Sequence, residues 1–296
     1  MRKRTTIAII GGYGKMGRWM ADHLIKERYR VIIAGRNQQR LEEVRRQLDI
    51  QVNTCTDAVD CADIVILSVP PDSFEDVVRE IGPLILPEQM VIDITSIKTV
   101  PVNNMHKYIK KGLILGTHPM FGPGAKDVTG NTFVLTPTDE REQAFAGRVE
   151  RYLKLRGARV IFATPEEHDE MISLILGLSH LMAIVTADTM AGAKILKKAA
   201  DTGGITFDAL LNVAGAVISE DPEFYASLQM NLPQLPQFAE MFADKAQQWA
   251  KIVGSKNREQ FIEKMNNVKQ QFVDEGIDLQ SAYKNLYKLA GKDTSG

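Results

Sequence analysis

The first half of the chain alternates short apolar runs with stretches of helical periodicity. Thr6–Ile10, Val31–Ala34, Ile64–Val69 and Met90–Ile94 are runs rich in Ile and Val, bounded by turn residues. Such runs predict strands buried on both faces of a parallel sheet. Between them Lys15–Glu27 carries a helical repeat, Gln38–Gln47 reads as a polar-faced helix, and Ile50–Val52 is a candidate short third strand. Leu113–Gly116, Thr132–Thr136 and Arg159–Phe162 are expected to be the last strands, with a helix between the final two. Beyond Phe162 the pattern changes and no further strand is predicted. Thr164-Pro165-Glu166-Glu167 is a helix start: Thr164 can cap, Pro165 suits the first helical position, and Glu167 completes a capping box. The expected class is therefore α/β, a doubly wound sheet over residues 1–163 followed by an all-helical domain over 164–296.

Composition narrows this reading only slightly. The chain has 296 residues, 44% apolar and 25% charged, and a formal net charge of -1. It is long enough for two domains, and it has no bulk field for nucleic acid or an anionic membrane surface. The basic start, Met1 to Arg4, is followed too soon by glycine to be a secretory signal. Two cysteines, Cys55 and Cys61, offer no metal-ligand spacing or disulfide framework, and free thiols in the cytoplasm are expected. Met171–Ala187 is strongly apolar but spans 17 residues and contains Ser173, Ser179 and His180. A membrane span needs roughly 20 apolar residues. The segment is read as a helix buried in the helical domain or in a homodimer interface formed by that domain.

Gly12-Tyr13-Gly14-Lys15-Met16-Gly17 matches G-x-G-x-x-G between a predicted strand and a predicted helix. In that setting the first glycine permits the turn, the second lets backbone approach a pyrophosphate, and the third lets helix and strand pack closely. The helix N-terminus then points free N–H groups at the anion. The first domain is accordingly read as a Rossmann-type dinucleotide-binding domain. At the end of the second strand stands Ala34-Gly35-Arg36-Asn37. No carboxylate is there to accept from a ribose 2′-hydroxyl, and Arg36, with Arg40 one turn on, can pair with a 2′-phosphate. NADP is expected over NAD, with Arg36 and Asn37 at the adenosine end. Ser68, Val69 and Pro70 end the fourth strand, and with Thr95 they are placed along the cofactor by topology alone.

Two segments at strand ends look chemical: Asp93-Ile94-Thr95-Ser96-Ile97-Lys98, and Gly116-Thr117-His118-Pro119-Met120-Phe121-Gly122-Pro123-Gly124. A dehydrogenase acting on an alcohol needs a group to take the hydroxyl proton as hydride leaves, and histidine suits this. His118 is the candidate, with Ser96 placed to orient its imidazole or the substrate hydroxyl. From spacing alone, a histidine satisfied within a turn explains His118 equally well. On the long C-terminal helix Asp169, Ser173, Gly177, His180 and Ile184 recur at spacings of three and four, which would put them on one face.

Taken together these segments resemble the prephenate and arogenate dehydrogenase family of tyrosine biosynthesis. The glycine fingerprint, D-x-x-S-x-K at Asp93–Lys98, H-P-M-F-G-P at His118–Pro123, His168-Asp169 and Leu178-Ser179-His180 stand in family order over roughly residues 5 to 230. The resemblance implies oxidative decarboxylation of prephenate or arogenate. It also implies that His118 polarises the ring hydroxyl, that Ser96 supports it and that His180 reaches the substrate. His168 is given a structural role at the helix start. One departure stands out. The family commonly supplies an arginine from the helical domain for the substrate's side-chain carboxylate, and 204–222 contains none. Lys98 and Lys126 are the substitutes expected here. A β-hydroxyacid-type dehydrogenase and a non-catalytic NADP sensor are the competing readings; the first would place a lysine where His180 stands. No metal site, chorismate mutase or feedback domain is expected.

Overall fold

The computed structural model describes residues 4–289. The basic lead-in before Arg4 and the tail from Lys292 lie outside them. Eight strands form one sheet: β1 (Thr6–Ile10), β2 (Arg30–Ala34), β3 (Gln51–Asn53), β4 (Ile64–Leu67), β5 (Met90–Asp93), β6 (Leu113–Pro119), β7 (Thr132–Thr136) and β8 (Arg159–Phe162). Their order is β3-β2-β1-β4-β5-β6-β7-β8, and only the β6–β7 pairing is antiparallel. Six helices accompany them: α1 (Lys15–Lys26), α2 (Gln38–Leu48), α3 (Cys55–Asp60), α4 (Pro71–Ile81), α5 (Thr99–Tyr108) and α6 (Glu140–Lys154).

Strand alternation builds two cores. Ile7 and Ile9 face one side with Met20 and Leu24 of α1 and Leu41 and Val44 of α2. Ala8 and Ile10 face the other with Phe74 and Val78 of α4 and Val102 and Met105 of α5. Successive residues of a strand point to opposite faces, so a run without polar positions is what a doubly covered strand requires. β1 pairs with both β2 and β4. The winding therefore reverses beside β1, and the crevice outside the strand carboxyl ends is where such sheets take ligands.

β6 runs past the expected end at Gly116. The antiparallel ladder with β7 continues through Thr117↔Leu135, His118↔Val134 and Pro119↔Phe133. His118 thus sits in a paired strand, with its backbone held from one side.

Helix α7 (Pro165–Ile172) begins with the predicted capping box: Thr164 N–H donates to Glu167 Oε2 at 2.8 Å, and Glu167 N–H donates to Thr164 Oγ1 at 3.1 Å. The first compact unit extends to Ile172 and also takes Met230–Leu232. α7 stays with the sheet because His168 and Asp169 bond to groups on β6 and α5.

The second unit comprises Ser173–Gln229 and the chain from Pro233, and it is helical in its described residues. It opens with a π-helical turn, Ser173–Leu178, followed by α8 (Ser179–Gly192), α9 (Leu196–Thr202), α10 (Ile205–Ile218), α11 (Pro222–Met230), α12 (Leu235–Gly254), α13 (Arg258–Asp274) and α14 (Leu279–Leu289). The π turn, with its i→i+5 bonding, interrupts the α-helical phase on which the three-and-four stripe relied. The continuous helix Pro165–Gly192 has 28 residues and by length and composition alone would pass for a membrane span. Leu174, Ile175, Met182 and Val185 are exposed in the single chain. The helix carries apolar residues on more faces than its own chain covers.

Candidate active site

The loop after β1 has the shape of a phosphate cradle. Gly11 adopts φ +85°, and a Cβ there would lie 2.1 Å from Ser68 O, so the chain can turn toward β4 only with glycine. Gly17, in the first turns of α1, brings the helix against the loop: its Cβ would stand 2.6 Å from Gly11 O and 2.9 Å from Gly12 Cα. Gly14 is the N-terminal cap of α1, and Arg18 N–H makes the ladder's opening bond to Gly14 O. The N–H groups of a helix's first turn have no intrahelical acceptor, so the end of α1 fits a pyrophosphate. Lys15 is exposed beside it and Met16 is half-buried. The turn strain falls on Gly11, one residue before the motif read from sequence.

At the end of β2 both Arg36 and Arg40 are exposed. The Tyr13 ring packs on Gly35, and the Arg40 guanidinium lies 5.2 Å from the Tyr13 ring centroid. Asn37 caps α2 by accepting from Arg40 N–H at 3.0 Å, which engages the side chain expected to contact cofactor. Ser68 and Val69 are half-buried after β4, and Pro70 is exposed. Thr95 is buried; its hydroxyl donates to Ile97 O at 2.9 Å, so it shapes its own turn.

A buried chain of polar groups runs from His118. His118 Nδ1 is 2.9 Å from His168 Nε2, and His168 Nδ1 is 2.8 Å from Asp169 Oδ1. Asp169 also accepts from Lys98 N–H at 2.6 Å and Thr99 N–H at 2.8 Å, so its carboxylate fills the N-terminus of α5. Burial works to raise the Asp169 carboxyl, but these hydrogen bonds outweigh it and hold its pKa below the ordinary value. An ionised Asp169 only accepts, so His168 carries its proton on Nδ1. Its Nε2 is then an acceptor, His118 donates from Nδ1, and the lone pair of His118 lies on Nε2. Burial, followed by the neighbouring His168 and Lys98, holds the His118 pKa well below the ordinary histidine value. Burial lowers that of His168 too, against its bond to Asp169. A neutral His118 in this chain has one defined tautomer, with Nε2 unprotonated.

Lys98 departs from its expected role. It is fully buried, with its ammonium bonded to Asp93 Oδ2 and donating to Thr117 O at 2.7 Å. Burial pushes the Lys98 pKa down and the Asp93 pKa up, while their contact opposes both shifts. An enclosed ammonium has no face left for a substrate carboxylate. Instead Lys98 grips the residue before His118, and the Thr117 hydroxyl donates to Asp93 O at 2.8 Å. Ser96 is half-buried in the turn before α5, and the task of orienting the imidazole falls to His168. His168 is therefore more than a helix-end residue, and the only signal for it in the sequence was the His168-Asp169 dipeptide itself. Lys126 is exposed at the far end of the His118 loop. That loop is tied to α1 by Trp19, whose indole N–H donates to Ala125 O at 2.6 Å and whose ring meets Phe121 edge-on. In the second unit His180 of α8 packs edge-on against Tyr225 of α11.

Two family models cover most of the chain. "Prephenate dehydrogenase, nucleotide-binding domain" matches residues 20–162, and "Prephenate dehydrogenase, dimerization domain" matches 164–267. A Methanocaldococcus jannaschii protein described as "probable arogenate/prephenate dehydrogenase" is 30% identical over 98% of this chain and 68% of its own length. The "T-protein" of Haemophilus influenzae is 25% identical over 90% of this chain and 67% of its own. Among solved structures, the prephenate dehydrogenase of A. aeolicus in complex with hydroxyphenyl propionate and NAD+ superposes with a TM-score of 0.75 at 20% identity. The match covers 92% of this chain and 98% of that one, and it speaks for the fold. On the strength of the two family models and the Methanocaldococcus relative, this chain belongs to the prephenate dehydrogenase family.

Proposed function

We propose that this protein catalyses the NAD(P)-dependent oxidative decarboxylation of prephenate or arogenate, giving 4-hydroxyphenylpyruvate or tyrosine. The observation that carries the reading is the His118–His168–Asp169 chain beside a dinucleotide cradle, in a member of this family. The chemistry supplied by a bound nicotinamide is acceptance of one hydride. His118 Nε2 accepts the proton of the ring hydroxyl as the C–H bond at that carbon breaks. Carbon dioxide leaves the opposite ring carbon, its bonding pair makes the ring aromatic, and the resulting phenolate oxygen takes the proton back from His118 Nε2. His168 and Asp169 stabilise the imidazolium that forms on His118. They do so by hydrogen bonding in a site shielded from water, where such bonds are stronger. Ser96 is assigned to the substrate hydroxyl, His180 to the substrate's remote part, and Lys126 to a carboxylate. The β-hydroxyacid alternative, which needs a lysine on the helix after the boundary, is not favoured.

The solved A. aeolicus relative holds NAD+. For this chain NADP is proposed, because Arg36 and Arg40 stand exposed where an acid would select NAD. The exposed apolar residues of Pro165–Gly192, within a region matching a dimerization domain, support a homodimer through the helical unit. The free Cys55 and Cys61 support a cytoplasmic location.

The direct test is turnover, followed by reduced-nicotinamide absorbance with each substrate and each cofactor. Turnover is expected, and His118→Asn is expected to cut kcat by about 10²–10⁴-fold with cofactor affinity unchanged. No turnover with any pairing, or a fully active His118→Asn protein, would overturn the assignment.

A further inference from the structure

Trp19 stands on α1, two residues after Gly17, and is half-buried. It packs against two cores at once, the one over α1 and α2 and the one built from β6, β7 and α6. Its indole is fixed from several sides. His23, one helical turn on, stacks on it with ring centroids 5.3 Å apart at 8°. Phe121 meets it edge-on at 4.9 Å, and Phe121 in turn meets Phe133 of β7 at 5.4 Å. The indole N–H donates to Ala125 O at 2.6 Å.

The segment it reaches has little else to hold it. β6 ends at Pro119, and Met120 N–H still donates to Thr132 O. From Asp127 onward the chain is tied again. Thr129 N–H donates to Asp127 Oδ1, Asn131 Nδ2 donates to Asp127 O, and Gly130 N–H donates to Gly157 O, each at 2.8 Å. Over 121–126 two hydrogen bonds occur among the described residues. One is the indole bond; the other, Ala125 N–H to Gly122 O at 3.1 Å, is internal to the segment. A Cβ on Gly122 or Gly124 would meet nothing within 4 Å, so no neighbour packs on the backbone there. Lys126, assigned above to a substrate carboxylate, directly follows Ala125. Fixing the Ala125 carbonyl fixes the base of that side chain.

The N-terminus of α1 is the end that fits a pyrophosphate, so one helix carries both that cradle and the anchor of the loop after His118. We propose that Trp19 is a positioning residue: its indole holds 121–126 against α1 and thereby sets where Lys126 stands for the substrate. The proposal rests on the function and the role of Lys126 given above. His118 is held by other means, through the β7 ladder, Lys98 on Thr117 O, and His168. Loss of the indole therefore acts on substrate binding and spares the proton transfer.

The test is steady-state turnover of Trp19→Phe, which keeps a ring against Phe121 and removes the donor. Its substrate KM is expected to rise about three- to tenfold, with kcat within about twofold of the parent and NADP affinity unchanged. In a Lys126→Ala protein, whose own KM should be raised, Trp19→Phe is expected to add less than about twofold, because both changes act on one contact. A role in stability alone would lower the denaturation midpoint and leave the KM of the folded protein at the parent value. That result overturns the proposal, as do a fall in kcat at unchanged KM, additive effects in the double variant, or Lys126→Ala with the parent KM. A second measurement needs no change at Trp19. The chain has two tryptophans, and Trp249 packs on Phe261 of α13. In Trp249→Phe, Trp19 is the sole indole emitter, and saturation with 4-hydroxyphenylpyruvate or L-tyrosine is expected to change its emission. A ligand bound by calorimetry but silent in that emission overturns the proposal. If no substrate is turned over, the reaction assignment fails separately, and calorimetry still decides. Binding of either product that Trp19→Phe weakens upholds the proposal; equal binding, or binding of neither, overturns it.

Discussion

Replacing His168 by leucine removes the ring that orients His118 and leaves His118 and Asp169 in the chain. In the parent, His168 Nε2 lies 2.9 Å from His118 Nδ1, and His168 Nδ1 lies 2.8 Å from Asp169 Oδ1. When His118 takes up the hydroxyl proton, its Nδ1–H bond to His168 becomes a bond from a cation. Hydrogen bonds to charged groups contribute about 1.5–3 kcal/mol, which is roughly 10- to 150-fold in rate. That charge is absent from the ground state, so the loss should appear in kcat more than in KM. His168→Gln offers a carbonyl that can accept from Nδ1–H, and part of the rate should return. The assay is steady-state turnover with circular dichroism and cofactor binding as checks on folding. The pH profile adds a second reading. His118 works as a base only when neutral, and burial holds its pKa well below the ordinary value. The parent's kcat/KM should therefore be level across neutrality and fall only as the medium becomes distinctly acid. This places the essential group lower than a histidine titrating near neutrality. A folded His168→Leu protein with kcat within about threefold of the parent would refute the relay. An acid limb at or above about pH 6.5 would refute the neutral, buried base.

Three further outcomes are expected. Arg36→Ala should weaken NADP by about 1.5–3 kcal/mol and NAD far less, as read by fluorescence titration; tighter binding of NAD than NADP by the parent would contradict this. Lys98→Met leaves the buried Asp93 carboxyl without its partner, and chemical denaturation should show a loss of about 3–5 kcal/mol. An unfolding free energy within about 1 kcal/mol of the parent would mean that the pair does not hold the strand end. Light scattering at micromolar concentration should report a dimer, and substitution of Leu174, Ile175 and Met182 by aspartate should give monomers; a monomeric parent would leave the exposed helix face unexplained.

The local devices of this protein were legible in its sequence because each depends on neighbours a few residues apart. Apolar runs of strand length imply a doubly covered sheet, since side chains alternate across a strand. The Thr164–Glu167 capping box needs only the geometry of one helical turn, and it formed as read.

The pairings across long separations were decided by tertiary structure. His118 and His168 are 50 residues apart, and Lys98 and Asp169 are 71 apart. No period links such positions; the sheet order and the β6–β7 register bring them together. That is why Lys98, read from the sequence as a cation for the substrate, proved to be sealed against Asp93, and why His168, by position a helix-start residue, proved to hold the tautomer of His118. The turn strain fell on Gly11 because β4 passes within contact of it, a closeness set by sheet order. A sequence states which residues can do chemistry, but burial and register determine which of them face the substrate and which hold the others in place.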